Sequence, residues 1–346
     1  MAERTAIPTA AEIMAAPLRL LRTAACCGLG LLVLYGSAFE VTADPADSPL
    51  AIWRDIFARP DTNLAAIPAP QWNPVTSAKV DLGKKLFFDT RLSGGTKRSC
   101  ATCHQPERAF TDGRRGASSL DGTTELLNAP SLLNLAWSNQ LFHDGRSKSL
   151  EDQARHPIEH PGEMAGSWPR IIERLNGEPS LRAAFRKAFP NEPEVTQKNI
   201  LAALATYERA LVSPQSRFDR FIEGDGTALT RKERTGFRLF VGKAGCISCH
   251  SGWRLTDDKL HNVGTASAKA PRGTPANGLI RTPGLRELSS TAPYMHDGSL
   301  PTLERVVEHY LDLDQGDLAL SPSLVRPLRL SENEKSALKA FLSALN

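Results

Sequence analysis

The chain has 346 residues, room for two compact domains of ordinary size, and its 41 % hydrophobic and 23 % charged composition carries no low-complexity tract. Its formal charge of +4 survives loss of the N-terminus, because Glu3, Glu12 and Glu40 balance Arg4, Arg19 and Arg22. Nothing in that balance suggests nucleic acid as a partner.

In chain order, Arg19 and Arg22 precede a short apolar run, Ala24–Phe39, followed by Val41-Thr42-Ala43. Residues 1–43 thus read as an export signal with a small-residue cleavage site, the alternative being an uncleaved N-terminal anchor. The run is short for a membrane span, so no stable span is expected after processing. Cys26 and Cys27 lie inside it, and Thr23-Ala24-Ala25 lacks the leading Leu of a lipoprotein site. Residues 44–75 form an N-terminal extension. The apolar period then predicts helices over Val80–Asp89, Leu150–Arg155, Trp168–Leu175, Leu181–Phe189, Asn199–Val212, Arg231–Val241, Leu303–Leu311 and Glu332–Leu345. Ser149 with Asp152, Thr230 with Glu233, and Ser331 with Glu334 have capping-box spacing at three of the starts.

Four of the six cysteines fall in two copies of Cys-x-x-Cys-His, Cys100-Ala101-Thr102-Cys103-His104 and Cys246-Ile247-Ser248-Cys249-His250. In this spacing two thiols attach a porphyrin covalently and the adjacent imidazole meets the iron, so each copy predicts one haem c. A zinc ribbon needs its cysteine pairs close together, which these are not. A redox dithiol has no use for a His after each second Cys. Covalent haem attachment occurs outside the cytoplasm, and with the export signal this points to a bacterial periplasm.

The two halves echo each other. Each runs amphipathic helix, Gly-containing loop, haem motif, long loop and a His-Asp-Gly turn. Leu141-Phe142-His143-Asp144-Gly145 answers Tyr294-Met295-His296-Asp297-Gly298, and Asn128-Ala129-Pro130 answers Arg281-Thr282-Pro283. The repeat predicts a mainly α fold of two cytochrome-c-like domains, residues 76–225 and 226–346, with long loops and little strand.

Over residues 76–346 the chain resembles the bacterial di-haem cytochrome c peroxidase and MauG family. The resemblance rests on the run from Leu82 to Asp89, the first motif with Ala109-Phe110-Thr111-Asp112-Gly113, Asn128 to Leu132, Asp144-Gly145-Arg146, Ser149 to Ala154, and Thr291 to Glu304. It implies that the first haem, on Cys100, Cys103 and His104, does peroxide chemistry. The second, on Cys246, Cys249 and His250, exchanges electrons. The usual distal His of the first haem maps to about Leu120, and no His lies between 105 and 142, which implies an open iron; His143, His156 and His160 are the other candidates for that ligand. Register with the family places Glu163, Gln153 and Pro157 in the distal pocket, the carboxylate for proton transfer and the amide for orientation. The second haem's sixth ligand maps to Tyr310 rather than Met, with Met295 as the alternative. A phenolate lowers the reduction potential where a thioether raises it. One Ca2+ between the haems is implied at Asn128, Thr291 and Pro293, oxygen donors as calcium prefers.

Two positions depart from the family. The inter-haem Trp is His143 here, and the surface Trp of the protein-oxidising members falls near Ala244, with Trp253 as a substitute. The function implied is a periplasmic oxidoreductase using H2O2, or O2 plus electrons, to reach a high-valent di-haem state. That state would oxidise a protein, namely the methylamine dehydrogenase precursor whose tryptophan tryptophylquinone it completes. The alternatives are a peroxidase fed by a cytochrome c or cupredoxin, and a non-catalytic di-haem electron carrier.

Overall fold

The computed structural model describes residues 50–122, 127–265, 278–313, 320–321 and 328–346. The export-signal segment therefore lies outside the described residues. Among them, no helix is long and apolar enough to cross a membrane. The order of elements is α1 (Leu50–Phe57), α2 (Ser77–Phe87), α3 (Leu150–Glu159), α4 (Trp168–Asn176), α5 (Pro179–Ala188), α6 (Gln197–Arg209), α7 (Arg217–Ile222), α8 (Arg231–Val241), β1 (Leu260–Asn262), β2 (Leu279–Arg281), α9 (Leu303–Leu311) and α10 (Glu332–Ser343). The strands make one short antiparallel pair with Leu260 opposite Arg281. The protein is mainly helical with little strand, as its sequence indicates.

Every helix expected from the apolar period forms, with ends displaced by a few residues. Two short ones, α1 and α7, are not expected from the sequence, although Ser216 and Asp219 close a capping box at the start of α7. Thr230 with Glu233 and Ser331 with Glu334 close full capping boxes. The box expected at Ser149 is corrected. Ser149 accepts the Asp152 amide, but the Asp152 carboxylate turns to Ser147 Oγ at 2.6 Å and to Arg155. A nearby hydroxyl and guanidinium offer it more than the cap amide does.

Two hydrophobic clusters form. One gathers Leu82, Leu86 and Phe87 of α2, Ile158 of α3, Ile171 of α4, Phe185 of α5 and the apolar stripe of α6. The other gathers Phe237 and Phe240 of α8, Val307 of α9 and Phe341 of α10, together with Phe57, Phe218 and Phe221. Thus α1 from the N-terminal extension, and α7 from before residue 226, both pack with the second cluster.

The internal repeat is visible in the backbone. Phe142 and Met295 take left-handed φ values of 66° and 72°, and Gly145 and Gly298 take 69° and 60°. The bridges Leu141–Ser147 and Tyr294–Leu300 close the same turn twice. The helix leading to each motif crosses a longer helix at a glycine. A Cβ on Gly83 would lie 2.0 Å from the Ala203 carbonyl oxygen, and one on Gly236 2.0 Å from that of Ala337. Only hydrogen fits at either crossing.

Candidate haem sites

Each Cys-x-x-Cys-His motif folds as a 3₁₀ turn, Cys100–Thr102 and Cys246–Ser248, with the His amide bonded back to the first Cys carbonyl at 3.0 and 2.9 Å. At the second motif both thiols and the imidazole face one cavity. All four cysteines are free thiols, as haem attachment requires.

The imidazoles are prepared alike. His104 Nδ1 lies 2.9 Å from the Phe110 carbonyl, and His250 Nδ1 2.9 Å from that of Leu255. A carbonyl only accepts, so Nδ1 carries the proton and Nε2 presents its lone pair outward, as a metal-ligating His does. Burial lowers both histidine pKa values and keeps the rings neutral. The two carbonyls belong to residues in left-handed conformation, Phe110 at φ 61° and Leu255 at φ 56°. Such a conformation costs a non-glycine residue about 1–3 kcal/mol and tends to persist where function uses it.

Gln153 and Pro157 stand one helical turn apart on α3. Pro157 has no amide to give the Gln153 carbonyl, and the chain folds back just beyond it. The Met164 amide donates to the Pro157 carbonyl and the Glu163 amide to the His160 carbonyl, at 3.2 and 3.1 Å. This fold-back carries Glu163 close enough to Cys100 and Cys103 for its charge to raise both thiol pKa values. The Glu163 side chain keeps 39 % of its surface open. Burial nevertheless raises its pKa, with His160, Arg146, His156 and Arg98 pulling the other way. Leu120, near which the resemblance places the usual distal His, donates its amide to the Gly162 carbonyl at 2.8 Å, beside Glu163. Its apolar side chain is exposed there.

The remaining histidines have other engagements. His143 Nε2 donates to the Asn128 carbonyl at 2.9 Å. His156 lies edge-on to Phe142 and 3.7 Å from Asp152. His160 Nδ1 accepts the Gly162 amide at 3.2 Å.

The second motif opens into a cavity of about 940 Å³. Cys246, Cys249 and His250 form part of its wall, and Tyr310 of α9 another part. Burial raises the Tyr310 phenol, and the two motif thiols add to the effect, which sets its hydroxyl near them. Met295 lines the cavity too, from within the left-handed turn. A void of this size beside two thiols and a neutral imidazole fits a haem.

The cavity runs on to the junction of the halves, where Asn128, His143, Thr291 and Pro293 also line it. Asn128 Nδ2 donates to the Arg114 carbonyl at 2.7 Å, which leaves Oδ1 as that side chain's acceptor. Its backbone links the two His-Asp-Gly turns, accepting from His143 and donating to the His296 carbonyl at 2.9 Å. Burial lowers His143 to about 4, so it is neutral. Trp253 meets Trp137 edge-on, ring centroids 4.9 Å apart, with the Arg59 and Arg286 guanidiniums 5.4 and 5.9 Å from its ring.

Three features of the junction and first site were missed from sequence. Arg98 clamps the Ser118 and Ser119 carbonyls at 2.7 and 2.6 Å, Asp258 gathers Arg254 and Arg281, and Glu208 is buried near Cys100. Each is an ordinary charged residue in the chain, and only the fold gives it neighbours.

Residues 77–227 match the family described as di-haem cytochrome c peroxidase. The chain is 40 % identical over 328 residues to the methylamine utilization protein MauG of Methylorubrum extorquens, covering 92 % of each. It is 33 % identical to the cytochrome c peroxidase Ccp of Escherichia coli, over 81 % of this chain and 60 % of that protein. Among solved structures, it is similar to a MauG-like protein associated with microbial copper homeostasis, with a TM-score of 0.73, 33 % identity, and coverage of 80 % of this chain and 92 % of that one. With two haem-attachment turns built to one plan and the MauG of Methylorubrum extorquens matched over 92 % of its length, the chain belongs to the di-haem cytochrome c peroxidase and MauG family of oxidoreductases.

Proposed function

We propose that the protein is a periplasmic, MauG-like oxidoreductase that takes two oxidising equivalents from hydrogen peroxide and passes them to a protein substrate. The substrate proposed is the methylamine dehydrogenase precursor, in which tryptophan tryptophylquinone is completed. One observation supports the reading: half-buried Tyr310 lines the second motif's cavity with its hydroxyl near Cys246 and Cys249. When bound, the haems supply iron centres that accept and store oxidising equivalents.

The chain's own groups divide the remaining work. His104 and His250 each offer Nε2, held in that tautomer by a backbone carbonyl. Leu120 supplies no ligand where the usual peroxidase has a His, so the face above His104 stays open to peroxide. Glu163 takes the proton from the inner peroxide oxygen and returns it to the outer one, while Gln153 orients the oxygen pair. Its raised pKa suits that exchange, because a carboxyl nearer neutrality both accepts and releases a proton readily. Tyr310 Oη would offer the second haem a hard oxygen donor, anionic once metal binding displaces its proton, and such a donor favours the oxidised state. Asn128 Oδ1 with the carbonyl oxygens of Thr291 and Pro293 makes an oxygen set suited to one Ca2+ at the junction. His143 occupies the path between the sites, and Trp253 with Trp137 offers the aromatic exit that Ala244 does not.

The test is optical. Ferric holoprotein given one equivalent of peroxide, with no reductant, should develop a long-lived near-infrared absorbance shared by the two haems. Rapid return to the ferric spectrum only when a reduced cytochrome c or cupredoxin is added would instead mark a peroxidase. An unchanged spectrum would mark an electron carrier.

A further inference from the structure

We propose that Glu208 is the proton-accepting partner of electron uptake at the first haem, a role separate from the peroxide proton transfer assigned to Glu163. This rests on the reading that the first motif carries a haem. Glu208 is the penultimate residue of the long helix α6 and is buried, 4 % exposed. Its Oε2 is buried and accepts from no donor among the described residues. The adjacent Arg209 does not neutralise it by contact, being committed to both oxygens of Glu151 at 2.8 and 2.9 Å. Its charge reaches into the first site and raises the Cys100 thiol.

The ionisable groups facing Glu208 are Tyr207 and Arg209 of α6, Glu151 of α3 and Cys100 of the haem-attachment turn. Cys100 loses its titratable proton on haem attachment, and Glu151 with Arg209 forms a closed ion pair. Glu208 is left as the group free to change charge.

An unsatisfied buried carboxyl weakens a fold, and an apolar side chain of similar size would do better there, so its presence calls for a reason. Beside a redox centre it has one. An electron added to the macrocycle makes a neighbouring carboxylate costlier in a medium of low dielectric, and a proton drawn from water removes that cost. The electron comes from the external reductant and the proton from solvent. No net charge is buried, and oxidation reverses both transfers. Burial already raises Glu208 to about 8, within reach of such coupling.

The experiment is a spectroelectrochemical titration of the holoprotein between about pH 6 and about pH 10, with the two haems resolved by absorbance. In the wild type the first haem's potential should fall as pH rises, approaching a tenfold change in the reduction equilibrium per pH unit, about 59 mV for one electron. In Glu208→Gln that dependence should flatten while the second haem's stays as in the wild type. Glu208→Asp should restore part of it. A wild-type slope retained in Glu208→Gln, or no slope in the wild type, overturns the proposal. Haem content is measured first: one covalent haem instead of two overturns both this and the underlying reading, whereas two haems with an unaltered slope overturn this one alone.

Discussion

Two buried or half-buried carboxyls flank the first haem motif and carry different expectations. Glu163→Gln keeps the shape of the side chain and removes its capacity to shuttle a proton. Peroxide activation, followed by stopped-flow absorbance, should slow roughly 10²- to 10⁴-fold, the usual worth of a positioned acid–base group. Because burial raises the Glu163 pKa, the carboxylate needed to accept the first proton is lost at higher pH than for an ordinary glutamate. The acid limb of the rate profile should therefore lie above the ordinary carboxyl range and vanish in the variant. Glu208 affects stability as well as potential. Its pKa rises from 4.5 to about 8, so between those values the folded chain holds a proton that the unfolded chain has released. Stability must then fall as pH rises across that window. Glu208→Gln removes the slope, and at pH 8 it should be more stable than the wild type by something on the order of 4 kcal/mol. Denaturant unfolding of both proteins at the two ends of the window measures it, and equal slopes would contradict the assignment.

At the level of elements, each motif is presented by a helix held against a longer one at a glycine. The approach is so close that the facing carbonyl oxygen would sit 2.0 Å from any Cβ. Gly236→Ala has to push α8 away from α10, opening the cluster around Phe237 and Phe341. Overpacking of this kind costs about 1–3 kcal/mol, and here the displaced element carries the second motif. The variant should lower the thermal midpoint and broaden the second haem's spectrum, leaving the first haem's unchanged. Gly83→Ala should do the reverse. If both variants perturb both haems equally, the halves are not packed independently.

At the scale of the molecule, the halves are joined by a small polar hub. Asp258 sits between Arg254 and Arg281 and accepts from Ser138 Oγ at 3.2 Å, while its carbonyl accepts Gln140 Nε2 at 3.0 Å. Arg281 in turn donates to the Phe142 carbonyl at 3.2 Å, tying the hub to the first His-Asp-Gly turn. Removing the acid strands two largely buried guanidiniums. Asp258→Ala should cost about 3–5 kcal/mol in unfolding and slow electron exchange between the haems. Flash photolysis of the half-reduced protein reads the second effect, and an unchanged exchange rate would show that the hub only stabilises the fold.

Covalent chemistry and local periodicity were legible in the chain. Two thiols and an imidazole at fixed spacing allow little but haem attachment, and the His-Asp-Gly repeat gave the internal duplication. Apolar period and caps gave the long helices, though not α1 or α7. Packing decided the rest. Glu208 reads in sequence as the polar neighbour of Tyr207, and becomes a buried acid only because α6 is enclosed on every side from Asn199 to Arg209. Asp258, Arg254 and Arg281 read as ordinary surface charges until the second half folds them onto one another and against Ser138, Gln140 and the Phe142 carbonyl of the first. A covalent site is written in adjacent residues, whereas the environment that tunes a charge is made by residues far apart in the chain.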